Sequence, residues 1–162
     1  SETLIVHSSE TRRGFSNGET RMNTQASLLP VTPEIVPEDQ RLAVVERLFG
    51  MAFPLQLEPV VYGITDRMAD GYDGGYWDFF TLSNGGFYMC PAEDRSFHVK
   101  CQNLYEGDLS ADALGITSCL YAYSNLSFSL SDIAREYARH YHLLREYSME
   151  HAEVREILGS TD

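Results

Sequence analysis

The chain has 162 residues, enough for one domain with a substantial core, and its 43% hydrophobic and 22% charged content is that of a globular protein. The net charge of −12, with Lys100 as the only lysine and no basic cluster, excludes conventional binding to a phosphate backbone. No apolar run approaches the roughly 20 residues that cross a bilayer, and Leu4, Ile5 and Val6 are too few for a signal core, so no membrane contact and a cytoplasmic location are expected.

Residues 1–33 are rich in Ser, Thr, Asn and Gln, and their three acids balance Arg12, Arg13 and Arg21. The 21 acids and 9 bases of residues 34–162 therefore carry the whole net charge. Pro30, Pro33 and Pro37 punctuate the end of this stretch, which reads as an N-terminal arm (1–33) ahead of a single domain (34–162). Met22 marks an alternative start, with residues 1–21 then an upstream or added extension.

Pro37, Glu38 and Asp39 open a first helix, with acids where the helix dipole favours them. Leu42, Val45, Leu48 and Phe49 recur at helical spacing until Gly50. A second helix carries Leu57, Val61, Ile64 and Met68 on one stripe and stops at Gly71. The pattern then turns β-prone. Tyr76–Ser83 and Gly86–Cys90 flank Asn84-Gly85, the dipeptide of a two-residue type I′ hairpin. That turn sets Leu82 opposite Phe87, Phe80 opposite Met89 and Thr81 opposite Tyr88. Phe80, Leu82, Phe87 and Met89 then share one face, and Trp77, Phe79, Thr81, Tyr88 and Cys90 the other. Both faces are apolar, so either helices cover both or one exposes an aromatic patch to a partner. Pro91 stops this strand, Phe97–Cys101 alternate as a third, and Leu104–Leu109 suggest a short fourth.

Ser110 caps the next helix, with Asp112 in its first turn and apolar residues almost all round from Leu114 to Tyr123, the mark of a buried central helix. Another starts at Ser129 or Ser131, and a last one spans Glu150–Leu158 after a break near Ser148. The expected fold is α+β: a small antiparallel meander of three to four strands packed with about five helices.

None of the chemistry-bearing patterns closes. His140 and His142 are two apart on a helix and point apart, His98 sits on the polar side of its strand, and His7 lies in the arm, so no metal site is expected. Cys90, Cys101 and Cys119 lack Cys-x-x-Cys spacing and read as reduced, mostly buried thiols. The pairs Asp66/Asp70 and Asp132/Glu136 share helix faces but read as solvated, since acid–base work needs one pKa shifted by burial. Gly74-Gly75 and Gly85-Gly86 do not lead into a helix bearing the Lys and Ser/Thr of a phosphate loop. No catalytic residue, metal or cofactor is assigned.

The run Tyr72-Asp73-Gly74-Gly75-Tyr76-Trp77-Asp78-Phe79-Phe80-Thr81-Leu82-Ser83-Asn84-Gly85-Gly86-Phe87-Tyr88 resembles the signature segment of the ArdB/KlcA antirestriction proteins. Three shorter matches keep the family order: Val36-Pro37-Glu38 with Arg47-Leu48-Phe49-Gly50, Ser110-Ala111-Asp112-Ala113 before Gly115-Ile116, and Tyr141-His142 with Leu144-Arg145 before Glu150-His151-Ala152-Glu153. The resemblance covers about residues 35–158. It implies a protein of plasmids or genomic islands that inhibits type I restriction endonucleases and so protects incoming DNA. The inhibition would run through direct or indirect protein contacts with the restriction complex, without catalysis or DNA binding. Tyr72, Asp73, Trp77 and Tyr88 are the candidate contact surface.

Two other readings compete. One is an acidic decoy for the enzyme's DNA groove. A duplex carries one charge per ~1.7 Å, so a decoy ~34 Å long needs ~20 ordered negatives on one face, which 24 acids spread over every helix do not readily supply. The other is a small hydrolase or ligand-binding domain, which a closed pocket holding a buried carboxylate or histidine would favour. The sequence selects no oligomeric state.

Overall fold

In the computed structural model, which describes residues 29–162, a single helix organises the unit Val31–Asp162. Residues 1–28 of the expected arm, with His7 and Met22, lie outside the described residues. Strand β1 (Pro33–Ile35) is followed by a 3₁₀ turn and helix α1 (Arg41–Phe49), then a π-turn that runs into α2 (Glu58–Met68). Strands β2 (Trp77–Leu82), β3 (Phe87–Pro91), β4 (Ser96–Lys100) and β5 (Glu106–Ser110) precede α3 (Ala111–Ser127), α4 (Ala134–Ser148) and α5 (Val154–Thr161). The described residues form an α+β fold with five helices, as the sequence indicates.

The strands form two small antiparallel sheets rather than one meander. One has the order β1-β2-β3 and the other is the β4-β5 hairpin. The chain joins them through Ala92–Arg95 without pairing β3 to β4; β4 instead bridges the end of α2, where Asp70 N–H donates to the His98 carbonyl at 2.9 Å. Strand β1 occupies residues assigned in the sequence to the arm and the approach to α1. Three exposed residues carry no alternation to read, and only pairing with Phe80–Leu82 makes them a strand.

The hairpin register is one residue away from the expected one. Phe79 faces Met89, Phe80 faces Tyr88 and Thr81 faces Phe87. The connection is a three-residue loop: Gly85 N–H donates to the Leu82 carbonyl (2.9 Å), and the Leu82 N–H to Gly86 (2.9 Å). Gly85 alone takes positive φ (+94°), whereas a type I′ turn requires Asn84 to do so too. Asn84 is held otherwise, because its amide donates to the Leu143 carbonyl (2.9 Å) and the Glu146 carboxylate (2.8 Å) on α4. A one-residue slip exchanges faces. Trp77 and Phe79 therefore share a face with Phe87 and Met89, while Phe80 stacks on Tyr88 with ring centroids 4.9 Å apart. Gly85→Ala is expected to cost about 1–2 kcal/mol in thermal unfolding, all of it from the left-handed backbone, since an added Cβ meets nothing closer than Arg139 at 3.6 Å.

Helix α3 lies along the free side of β3. Tyr123 donates its hydroxyl to the Phe87 carbonyl (2.7 Å) and the Cys119 thiol reaches the Met89 carbonyl (3.7 Å), so helix side chains satisfy edge groups that no strand takes. The approach is close because Gly115 has no side chain: a Cβ there would stand 2.3 Å from the Met89 carbonyl and the Cys90 Cβ. Below the sheet, Phe53, Phe79 and Phe87 meet edge to face at 5.6–6.0 Å, and Phe49 meets Phe87 edge-on (5.6 Å) and stacks on Phe53 (6.1 Å).

 Every residue of β3 is buried, so helices cover both faces of this strand and no aromatic patch is left open there.

Ser110 caps α3 as expected, its Oγ accepting from Ala113 N–H at 3.1 Å. Eleven of the 17 residues of α3 are buried, which makes it the central helix. The next two helices start later than their sequence signals. Ser129 and Ser131 shape the turn before α4, with Ser131 accepting from Ile133 and Ala134 N–H, and the 150–153 segment turns before α5 begins at Val154.

Candidate functional site

Three of the segments that carry the family resemblance meet at the N-terminus of α3. Asp112, in the first turn, accepts the Tyr88 hydroxyl from β3 on Oδ1 at 2.7 Å, and its Oδ2 lies 2.7 Å from Nε2 of His151, from the turn before α5. Glu153 reaches back to the same helix end, where its carboxylate accepts both the backbone N–H (2.9 Å) and the hydroxyl of Ser110. Tyr147 of α4 stacks on Tyr88 (5.8 Å) and meets His151 edge-on (5.9 Å). Carboxylates suit this place, since the first turn of a helix leaves N–H groups unpaired and positive in potential.

Burial pushes the Asp112 carboxyl up, but its bonds from His151 and Tyr88 outweigh that and hold it below its ordinary value. Burial, and then the Asp112 charge, raises both the Tyr88 hydroxyl and the Cys90 thiol far above their ordinary values, so both keep their protons. Nδ1 of His151 accepts from Glu153 N–H at 3.0 Å, which assigns the ring proton to Nε2 and directs it to Asp112. Both ring nitrogens are thus engaged, and neither the thiol nor the phenol is ionised. The chemistry available is that of a clamp joining the C-terminal turn to the central helix and sheet.

The sequence marks Tyr88 as a candidate contact residue and Asp112 as a first-turn acid, and carries His151 and Glu153 only within a family segment. They lie about 40 positions apart, and only the fold brings them together. The candidate contact residues are dispersed. Trp77 is 3% exposed and Tyr88 1% exposed, and they occupy opposite faces of the sheet. Trp77 donates its indole N–H to the half-buried Tyr72 hydroxyl (2.9 Å), and its carbonyl accepts from Arg41 (2.7 Å). Their burial follows from the register and from the helices over β3, so the rings serve the core. Asp73 is exposed and, with Tyr62, Asp66 and Tyr72, lines a shallow depression beside Gly74 and Gly75, both at positive φ.

The remaining histidines stay separate. His98 is bracketed by Asp108 and Glu106, each 2.9 Å from one ring nitrogen, and those bonds raise its pKa. His140 is wholly buried beside Phe49 and Tyr123, and burial lowers its pKa to about 4. Among the described residues no group of three His, Cys, Asp or Glu side chains is placed to hold a metal ion, and no helix is long and apolar enough to cross a membrane. All three cysteines are free, with Cys90 and Cys119 buried and Cys101 half-buried.

Comparison with known proteins gives consistent matches. A family model described as "Antirestriction protein" matches residues 70–162. Protein YafX of Escherichia coli is 43% identical over 141 residues, covering 83% of this chain and 88% of the relative. Antirestriction protein KlcA of Escherichia coli is 36% identical over 144 residues, covering 87% of this chain and all of the relative. A solved structure superposes with a TM-score of 0.76 at 35% identity, over 83% of this chain and 96% of that one; it is described with the words "the KlcA and ArdB proteins show a novel fold and antirestriction activity against Type I DNA restriction systems in vivo but not in vitro".

Proposed function

Since the chain belongs to the antirestriction protein family, we propose that it protects incoming DNA from type I restriction enzymes through protein contacts and without catalysing a reaction. The observation that carries this reading is the likeness to a structure whose proteins act on type I systems in vivo but not in vitro. An inhibitor that needs a further component of the cell behaves in that way, whether it touches the restriction complex itself or an intermediary.

Two features of the chain support a non-catalytic, protein-directed role. The clamp at the start of α3 leaves no free base or nucleophile. Exposed carboxylates come from β1, α1, α2, the β3–β4 loop, β5 and α4, with arginines between them, which favours contacts with a protein over imitation of a continuous duplex. Within the candidate surface the accessible part is Asp73 with the edge of Tyr72, and we assign the contact there.

The test is the plating of phage carrying unmodified sites on a type I restricting host. Expression of the chain is expected to raise plating by at least about tenfold while leaving modification intact, and unchanged plating would refute the reading. Asp73→Arg reverses an exposed charge and is expected to reduce that protection with no change in melting temperature. Full protection by this variant would remove the depression beside Gly74 from the contact surface.

A further inference from the structure

Arg67 and Lys100 stand at the mouth of a cavity of about 200 Å³ between α2, the end of β4 and α3. Ile64, Met68 and the Tyr121 ring supply its apolar lining, and Asn125 adds an amide. The Tyr121 hydroxyl is already committed to the Ser160 carbonyl, so the ring meets the cavity as a carbon surface. Cys101 also borders it, with burial raising its pKa so that the wall stays neutral. A second cavity of about 140 Å³ shares Tyr121 and Asn125 and continues the cleft toward α4.

The chain's net charge is −12, and Arg67 and Lys100 are two of five cations, with Arg47, Arg135 and Arg155, that have no carboxylate within 4.0 Å among the described residues. Arg41, Arg95, Arg139 and Arg145 each have a carboxylate within 4.0 Å, but among the described residues neither Arg67 nor Lys100 does. Glu106, directly across the hairpin from Lys100, gives its carboxylate to His98 instead. Two positive side chains thus line one apolar hollow, neither with a carboxylate partner among the described residues.

We propose that this cleft binds a small organic carboxylate, its apolar body against Ile64, Met68 and Tyr121 and its carboxylate between Arg67 and Lys100. The planar guanidinium fork matches a carboxylate in two-point contact, while the apolar lining selects an anion with a hydrocarbon part over an inorganic ion. The volume is that of about seven liquid waters, so the ligand is of fragment size, roughly a ring and a short acid arm. This site is independent of the antirestriction reading and can fail or succeed without it.

Phenylacetate is a suitable probe, titrated into the full chain by calorimetry and by amide NMR, beside uncharged 2-phenylethanol and inorganic phosphate. The expected result is saturable one-site binding, with shifts centred on Arg67, Lys100, Tyr121 and Asn125. Affinity should fall at least about tenfold for 2-phenylethanol and for an Arg67→Gln, Lys100→Gln double variant. Both side chains are exposed, so the variant should keep its melting temperature. No saturation at tens of millimolar, equal binding by the double variant, or phosphate competing as well as phenylacetate would each overturn the proposal.

Discussion

Gly115→Ala is expected to destabilise the protein by about 3 kcal/mol or more, although alanine is the better helix former. In a helix with open space around it, replacing glycine by alanine contributes about 1 kcal/mol of stability. Position 115 reverses the sign, because the new methyl would lie 2.3 Å from the Met89 carbonyl and the Cys90 Cβ and 2.5 Å from the Cys90 Cα. Two of those three are backbone atoms of a strand buried on both faces, so relief requires moving α3 off the sheet. Overpacking of this kind costs about 1–3 kcal/mol and sometimes more, and displacement would also lengthen the bonds from Tyr123 and Cys119 to the strand. Gly63→Ala is the internal control. Its Cβ would meet only the end of the Arg67 side chain at 3.5 Å, so a gain of about 0.5–1 kcal/mol is expected. Urea unfolding of both variants checks the pair, and a Gly115→Ala protein as stable as the parent would refute the close packing.

Asp112→Ala carries the second large effect, a loss of about 2–4 kcal/mol at neutral pH. The substitution leaves the Tyr88 hydroxyl and the His151 Nε2–H without their acceptor, and a buried donor left unpaired costs about 1–3 kcal/mol. The effect should depend on pH in a definite direction. The Asp112 carboxyl is held below its ordinary value of 3.8 in the folded protein. Its contribution is therefore complete above about pH 5 and is lost as pH falls below 3.8 and the carboxylate takes up a proton. Parent and variant should differ most at pH 7 and converge in acid. Equal separation at pH 7 and pH 3 would show that Asp112 acts through something other than its charge.

How far these features can be read in the sequence depends on how local their causes are. Helical spacing in Leu42–Phe49 and Leu57–Met68, the Ser110 cap and the apolar surround of α3 are set within a turn or two, and each is legible. The hairpin is legible as a hairpin, but its register is not. Asn84-Gly85 favours a two-residue turn by itself, and the pull of Leu143 and Glu146 on Asn84, some 60 positions away, selects the longer loop. The same limit applies to the aromatic run. Its density is plain in the sequence, yet which rings reach solvent depends on that one-residue slip and on α3 and α4. The clamp is the extreme case: Asp112 looks ordinary in its helix and His151 in its turn, and their meeting depends on the path of the whole α3–α4 pair.

Strand β1 has a consequence for how the protein behaves at high concentration. Strands β2 and β3 combine aromatic residues with little charge, a composition prone to growing into larger sheets when an edge is left free. One side of this sheet is closed by α3, and the other ends in three residues, Pro33-Glu34-Ile35, beginning with a residue that cannot donate a ladder bond and continuing with a charge. Such a border is too short and too interrupted to template another chain, so the fold shields its most aggregation-prone segment from edge-to-edge association.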